Sequence, residues 1–240
     1  MKRIFWAGDS TVQTNDITTY PQTGMGQVLS LYLAEGIQVY NHAKNGRSTK
    51  SFMDEGRLAK IEEAIGEGDF LFVQFGHNDE KEQDPSRYTI PGSTFDANLR
   101  TFINVARNHG AYPVLITPLE RRCFEDGNVL GDGAHGPYVE AIKNVAAAEE
   151  VPLVDLYTKS RKIMNEAGAT KTVEWFMNIE PNTYASCPEG KNDNTHLKYE
   201  GAVTFAGLIA EGLNELGGMY AQLLLDPNKK PEGLEDGDKA

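Results

Sequence analysis

The 240-residue chain contains only two cysteines, Cys123 and Cys187. They form no pairing motif and have no metal-ligand spacing, so the sequence argues against a disulfide framework and against a zinc site built from cysteine. A reducing compartment is the simplest inference from so low a cysteine content.

Long apolar runs are also missing. The start, Met1-Lys2-Arg3, has the positive charge of a secretion signal, but the apolar run behind it stops at Gly8-Asp9 and is too short to be one. No other stretch is long enough to cross a bilayer, so we expect no membrane partner. We expect a cytoplasmic location, with secretion as the alternative if a leader has been removed.

Positive charge is scarce, because 23 lysines and arginines face 35 aspartates and glutamates, for a formal net charge of -12. This balance argues against affinity for nucleic acid or anionic membranes. An acidic substrate is compatible with it only where basic residues gather locally. The first loop also lacks a glycine pattern that could cradle phosphate, which disfavours flavodoxin-like cofactor binding.

Short apolar runs alternate with helical patterns along the chain. The predicted strands are residues 4–7, 37–40, 69–75, 112–117 and 151–156, and the main predicted helices are 24–35, 95–108, 136–150, 157–167 and 199–216. This alternation predicts a parallel sheet in a three-layer α/β/α sandwich. Length and composition predict one domain over residues 1–225, followed by a loose charged tail over 226–240. Residues 169–191 show no clear periodicity.

Polar loops follow the first three predicted strands. Gly8-Asp9-Ser10 follows the first, Asn45-Gly46 the second, and Gly76-His77-Asn78-Asp79 the third. Since the carboxyl ends of parallel strands meet at one edge of a sheet, we expect these loops to converge.

Near the other end of the chain, Asp193-Asn194-Thr195-His196 offers what a serine nucleophile needs. A serine hydroxyl reacts poorly until a base removes its proton, and an imidazole oriented by a carboxylate is the usual base. We expect Asp193 and His196 to lie in a turn or a first helical turn with their side chains on one face. Ser10 is then the nucleophile, His196 the base and Asp193 the orienting carboxylate.

Fixed donors are needed for the oxyanion that forms when a carbonyl is attacked. The backbone N–H of Ser10, the backbone N–H of Gly46 and the side-chain amide of Asn78 are the candidates. Taken singly, Gly46 and Asn78 are equally typical of turns and caps, as is the Gly-Asp-Ser triplet. The catalytic interpretation gains its weight from the complementary roles of all the segments together.

With these residues in this order, the chain resembles the SGNH (GDSL-like) hydrolase superfamily, named for Ser, Gly, Asn and His. Ser10, Gly46, Asn78 and His196 match the four letters, and Asp193 matches the acidic residue three places before the histidine. The resemblance spans residues 3 to about 216. Four segments are similar in amino-acid sequence to the rhamnogalacturonan acetylesterase branch: GDSTV (8–12), NGRSTKSF (45–52), QFGHND (74–79) and DNTHL (193–197).

The resemblance implies a five-stranded parallel sheet in the order 2-1-3-4-5, an open active site, and no metal or organic cofactor. It implies removal of acetyl groups from the galacturonate residues of a pectin backbone. Thr11 stands where the lipase-type pattern has leucine, which favours the carbohydrate branch. Acetylated xylan as substrate, a lipase or thioesterase activity, and a sugar-binding module without catalysis are the alternatives.

Two further residues near the expected site are candidates for shaping it or for contacting the substrate. Asp9 is predicted to orient its loop through backbone hydrogen bonds and is a candidate substrate contact. His77 is expected near the acyl pocket, because His42, His77 and Asp79 match no compact metal motif.

Arginines in the edge loops are candidates for binding the carboxylates of an acidic sugar chain. Arg47, Arg121 and Arg122 are the predicted substrate-binding set, with Arg87 nearby. Such a set predicts a basic strip on an acidic body. The alternative is that these arginines pair with surface carboxylates.

Overall fold

The structure, a computed structural model, describes residues 2–125, 130–131 and 133–226. Five parallel strands form the central sheet: β1 (Arg3–Gly8), β2 (Gln38–Asn41), β3 (Phe70–Gln74), β4 (Tyr112–Ile116) and β5 (Leu153–Val154). Their order across the sheet is β2-β1-β3-β4-β5, which confirms the expected 2-1-3-4-5.

Helices cover both faces of the sheet. They are α1 (Met25–Val28), α2 (Thr49–Asp54), α3 (Arg57–Glu62), α4 (Thr94–Asn108), α5 (Gly136–Ala148), α6 (Leu156–Thr172), α7 (Tyr199–Leu216) and α8 (Gly218–Ala221). Two further strands, β6 (Phe176–Ile179) and β7 (Lys191–Leu197), form a separate antiparallel pair.

The strand residues alternate between two hydrophobic cores, one on each face of the sheet. Ile4 and Trp6 of β1 pack in the core that includes Phe205 of α7, whereas Phe5 packs in the core that includes Phe102 of α4. Because successive side chains of a strand point to opposite faces, a continuously apolar strand requires cover on both sides. This is the physical basis of the three-layer architecture, which the structure confirms.

Three elements differ most from the sequence prediction. The prediction of a helix over 24–35 is wrong beyond Val28, where a short 3-10 helix follows. The backbone groups of Tyr32 and Ala34 then form hydrogen bonds with Leu225 and Leu223 instead of continuing the helix. The fifth strand is shorter than expected, because Asp155 caps the start of α6. The α6 helix in turn runs past the predicted 167 to Thr172, with a kink at Gly168.

Helix α2 was missed because it is short and follows a loop-like sequence. Its start is stabilised by a reciprocal capping box between Ser48 and Ser51, in which each side chain bonds to the backbone N–H of the other. The box uses serine at the third helical position, where glutamate or glutamine is the usual signal.

The expected turn around Asp193 and His196 is wrong, since both residues belong to strand β7. Met177 of β6 pairs with Asp193 of β7, but the preceding residue, Phe176, pairs with Leu197. Residues 194–196 of β7 therefore bulge out of the ladder. Across this bulge, Nδ1 of His196 lies 2.7 Å from Oδ2 of Asp193.

The position of β1 between β2 and β3 makes the first three edge loops neighbours. Lys44 N–H, in the loop after β2, donates to Gly8 O at 3.0 Å, and Gln74 Nε2, at the end of β3, donates to Thr11 Oγ1 at 3.3 Å. The loop that carries Ser10 is thereby tied to both flanking strands.

The loose tail expected over 226–240 lies outside the described residues, apart from Asp226. Among the helices that the structure describes, none combines the length and apolar character needed to span a membrane.

Candidate active site

Ser10, His196 and Asp193 form a continuous hydrogen-bonded chain at the carboxyl edge of the sheet. The Oγ atom of Ser10 lies 2.9 Å from Nε2 of His196, and Nδ1 of His196 lies 2.7 Å from Oδ2 of Asp193. Ser10 is buried, whereas the His196 side chain is about 29% exposed. The structure therefore brings the three predicted catalytic residues together with the ring between the hydroxyl and the carboxylate.

The Asp193 carboxylate is held by four donors. Its Oδ1 accepts the backbone N–H groups of Thr195 and His196, both at 2.9 Å, and its Oδ2 accepts from the His196 ring and from Lys191 Nζ at 2.9 Å. Burial acts to raise the pKa of the Asp193 carboxyl, but the contacts with His196 and Lys191 outweigh it and hold that pKa well below its usual range. The carboxylate is thus ionised and fixed in orientation.

The three candidate N–H donors for an oxyanion lie in the first three edge loops. Gly46 has a φ of +76°, a left-handed conformation that favours glycine, and a Cβ there would lie 3.6 Å from the Arg87 guanidinium. Among the described residues, the backbone N–H groups of Ser10 and Gly46 have no hydrogen-bond acceptor. The amide of Asn78 donates one N–H to Arg47 O at 3.1 Å, which leaves its second N–H available.

Asp9, directly before Ser10 in the chain, is fully buried. Its Oδ1 accepts from the backbone N–H and the hydroxyl of Thr11, both at 2.9 Å, and its carbonyl accepts from Val12 and Gln13 N–H. Burial raises the pKa of the Asp9 carboxyl. These contacts are those of a residue that shapes the loop.

Asp79 connects the third edge loop to helix α2, a role that the sequence did not indicate. Its carboxyl accepts from the backbone N–H of Thr49, from the Thr49 hydroxyl at 2.5 Å and from the Thr89 hydroxyl at 2.9 Å. Burial raises the pKa of Asp79 to about 7, against the opposing effect of these donors. Asn78 is therefore anchored by its neighbour in sequence.

His77 is buried next to Asn78, and neither ring nitrogen has a partner among the described residues. Its ring meets that of His135 edge to face, with 4.4 Å between centroids, and burial lowers the pKa of His77 well below its usual value. Glu80 binds His135 Nδ1 at 2.8 Å and Arg121 Nη2 at 2.6 Å. Within the described part of the chain, no group of three or more His, Cys, Asp or Glu side chains could hold a metal ion.

Three arginines of the edge loops are engaged by carboxylates. Arg47 pairs with Glu55 at 2.8 Å, Arg87 with Asp84 at 2.6 Å, and Arg121 with Glu80 as described. Their charge is therefore locally compensated, which is the alternative that the sequence left open.

Arg122 has a different environment. Its guanidinium donates to Thr172 Oγ1 at 2.9 Å, to Asn194 Oδ1 at 3.1 Å and to Ala169 O at 2.5 Å. Its backbone N–H also donates to Asn194 O at 2.9 Å, so Arg122 ties the bulge of β7 to the end of α6. Arg122 and Lys191 both line a cavity of about 490 Å³ between this region and the β6–β7 connection.

Comparison with known proteins identifies the family. A sequence model of the GDSL-like lipase/acylhydrolase family matches residues 7–184. The chain belongs to this family. The matched segment contains Ser10, Gly46 and Asn78, whereas Asp193 and His196 lie beyond it.

Two curated relatives from Bacillus subtilis (strain 168) match nearly the full chain. The rhamnogalacturonan acetylesterase RhgT is 41% identical over 215 residues, covering 90% of this chain and 90% of RhgT. The probable rhamnogalacturonan acetylesterase YesY is 45% identical over 214 residues, covering 89% of this chain and 93% of YesY.

Solved structures share the fold. The YxiM protein of Bacillus subtilis superposes with a TM-score of 0.75 at 26% identity, and the match covers 90% of this chain but 57% of YxiM. An acetylxylan esterase from Geobacillus stearothermophilus superposes with a TM-score of 0.60 at 14% identity, covering 88% of this chain and 93% of the esterase. The second likeness shows the fold alone.

Proposed function

We propose that this chain is a serine esterase that removes O-acetyl groups from acetylated rhamnogalacturonan. The hydrogen-bonded chain from Ser10 through His196 to Asp193 carries the proposal, because it is the arrangement that activates a serine toward an acyl carbonyl. The substrate class rests on the relatives named rhamnogalacturonan acetylesterase and on the sequence segments that resemble that branch.

In the proposed reaction, Ser10 Oγ attacks the acetyl carbonyl carbon while its proton passes to Nε2 of His196. The carbonyl oxygen becomes an oxyanion that accepts from the Ser10 and Gly46 N–H groups and the Asn78 amide. The bond between the acyl carbon and the sugar oxygen then breaks, and His196 gives its proton to that oxygen. Water attacks the acetyl-enzyme with His196 again as base, which releases acetate and restores Ser10.

The surroundings of Ser10 favour a polar substrate. Its sequence neighbours and the third edge loop supply buried polar side chains, Asp9, Thr11, His77 and Asn78, whereas a lipase needs an apolar channel for a long acyl chain. Acetylated xylan is the nearest alternative glycan. The xylan esterase likeness adds little to that alternative, because at 14% identity it speaks only for the fold.

Among the predicted substrate-binding residues, Arg122 is best placed to meet an acidic sugar. A guanidinium has five N–H donors, and its three side-chain contacts leave two for a further acceptor. It also lines the 490 Å³ cavity, whose charged lining residues are Arg122, Lys191, Glu180 and Glu189. We therefore propose that Arg122 binds a galacturonate carboxylate there.

The other members of the predicted set have weaker support as substrate contacts. Arg47 and Arg121 would have to share their guanidinium groups with Glu55 and Glu80. Because Asp9 is buried, we propose that it shapes the Ser10 loop and does not bind substrate. We propose that His77 is an uncharged residue that packs next to Asn78, since burial lowers the pKa of its imidazole.

We keep three broader proposals from the sequence. Residues 1–225 form one hydrolase domain, no cofactor is required, and the protein works in the cytoplasm on oligosaccharides produced by pectin degradation. The low cysteine content supports the last of these. No affinity for nucleic acid is expected from the net charge of -12.

A substrate panel tests the proposal. Acetate release is measured on acetylated rhamnogalacturonan oligosaccharides, acetylated xylo-oligosaccharides, and p-nitrophenyl esters of increasing acyl length. We expect the highest kcat/KM on the rhamnogalacturonan substrate and a decline with acyl length. A preference for long acyl groups would replace the proposal with a lipase activity, and a preference for xylan would replace its substrate.

A further inference from the structure

Lys191 is the one cation in direct contact with the Asp193 carboxylate among the described ion pairs. Its Nζ lies 2.9 Å from Oδ2, the same oxygen that accepts the His196 ring at 2.7 Å. Lys191 and Asp193 are two positions apart on β7, so their side chains project from the same face of the strand. No feature of the sequence singled out this lysine.

We propose that Lys191 is a positioning residue that sets the acidic limit of activity by opposing the formation of a charged imidazolium at His196. This inference rests on the proposed serine mechanism, in which neutral His196 is the base. The Asp193 carboxylate favours the charged ring, because opposite charges attract at short distance. An ammonium on the same oxygen weakens that attraction.

The contact also has a geometric effect. Oδ2 is shared between one ring N–H and one ammonium N–H, while Oδ1 accepts two backbone N–H groups. These donors hold the carboxylate in its orientation toward Nδ1. Both effects come from the same ion pair, and the pH dependence of the rate reports the effect that depends on charge.

The other charged and titratable groups near His196 do not duplicate this role. Asp9, below the ring, acts in the opposite sense if ionised, and its pKa is raised by burial. His77 is held neutral by burial, which lowers its pKa. Arg122 contacts Asn194 on the bulge, and among the described residues its guanidinium makes no hydrogen bond or ion pair with Asp193 or His196. Lys191 is thus the cation that acts directly on the triad carboxylate.

The test compares Lys191→Met, which removes charge and donor, Lys191→Gln, which keeps a donor, and Lys191→Arg, which keeps both. Lys171→Met is the matched control, because Lys171 pairs with Glu174 on the surface and its loss changes the net charge equally. The readout is the pH at which the rate falls to half its plateau on the acidic side. It is measured with p-nitrophenyl acetate and as the rate of Ser10 inactivation by a serine-directed phosphonate.

We expect the acidic midpoint of Lys191→Met and Lys191→Gln to move to higher pH by about half a unit to one unit, which corresponds to a roughly threefold to tenfold loss of rate below the midpoint. Lys191→Arg and Lys171→Met should keep the wild-type midpoint. Because Lys191 is partly exposed, molar salt should shrink the shift.

Equal midpoints in all four variants would overturn the proposal, as would a shift in Lys191→Arg as large as that in Lys191→Met. If Lys191→Met fails to fold, Lys191→Gln and Lys191→Arg still decide the matter. The phosphonate readout needs no sugar, so a wild-type protein that reacts with it but releases no acetate from rhamnogalacturonan refutes the proposed substrate and leaves the Lys191 test intact.

Discussion

His196 Nε2 lies 2.9 Å from Ser10 Oγ although 186 positions separate the two residues in the chain. The contact depends on two independent structures. Ser10 follows β1 at the carboxyl edge of the parallel sheet. His196 lies in the bulge of β7, in the separate β6–β7 hairpin. A change in either structure can therefore remove the reaction without touching the other.

The Asn78 amide should contribute mainly to turnover. Replacing Asn78 by alanine removes one proposed oxyanion donor, so kcat should fall by about 100-fold to 1,000-fold with little change in KM. Steady-state kinetics on p-nitrophenyl acetate measure both constants. Arg87→Ala is the control, since Arg87 donates to Asn78 Oδ1 at 3.3 Å but lies outside the proposed reaction. A loss as large in the control would assign the effect to loop geometry.

Arg122 should distinguish acidic from neutral substrates. Arg122→Ala removes the proposed carboxylate donor, so kcat/KM on acetylated rhamnogalacturonan oligosaccharides should fall by about tenfold or more relative to kcat/KM on p-nitrophenyl acetate. The ratio matters because Arg122 also fixes the β7 bulge, and loss of that contact lowers both activities together. Arg47→Ala, which breaks a pair with Glu55, should leave the ratio unchanged. A constant ratio in Arg122→Ala would limit this residue to positioning.

Asp79 should make stability depend on pH. Its pKa of about 7 in the folded protein exceeds the ordinary 3.8, so the folded state holds a proton that the unfolded state has lost. Between about pH 4 and pH 7 the wild type should therefore lose stability relative to Asp79→Asn as pH rises, by on the order of 4 kcal/mol at most. Denaturant unfolding of both proteins across this range measures the difference.

Asp84→Asn provides the control for that measurement. Hydrogen bonds from Ser86 and Arg87 lower the pKa of Asp84, so its contribution changes only below about pH 4 and the stability difference should stay constant above it. If the Asp79→Asn difference is equally flat between about pH 4 and pH 7, the carboxyl is ionised throughout and the hydrogen bonds from Thr49 and Thr89 outweigh the effect of burial.

The sequence predicted the central fold because burial leaves a strong pattern. β3 is apolar except for Gln74 and is buried along its whole length, and α7 carries an apolar stripe that ends where the helix ends. The edge loops could be placed for the same reason, since each follows a recognisable strand.

The hairpin that carries Asp193 could not be predicted from periodicity. β7, with the sequence KNDNTHL, is polar except for its last residue, and β6 has four residues. Such strands are stabilised by pairing with each other and by contacts such as Arg122 with Asn194, which depend on residues distant in sequence. Lys191 was missed for the same reason, because a lysine on a polar strand leaves no signal until its neighbour in space is known.

Acetate release from acetylated rhamnogalacturonan oligosaccharides by the wild-type protein and by Ser10→Ala tests the central claim most directly. Ser10 is small and buried, so alanine should preserve the fold, which equal thermal unfolding of the two proteins would verify. The account predicts steady release by the wild type and a loss of about a thousandfold or more in the variant. Equal release by both proteins, or none by the wild type, would contradict it.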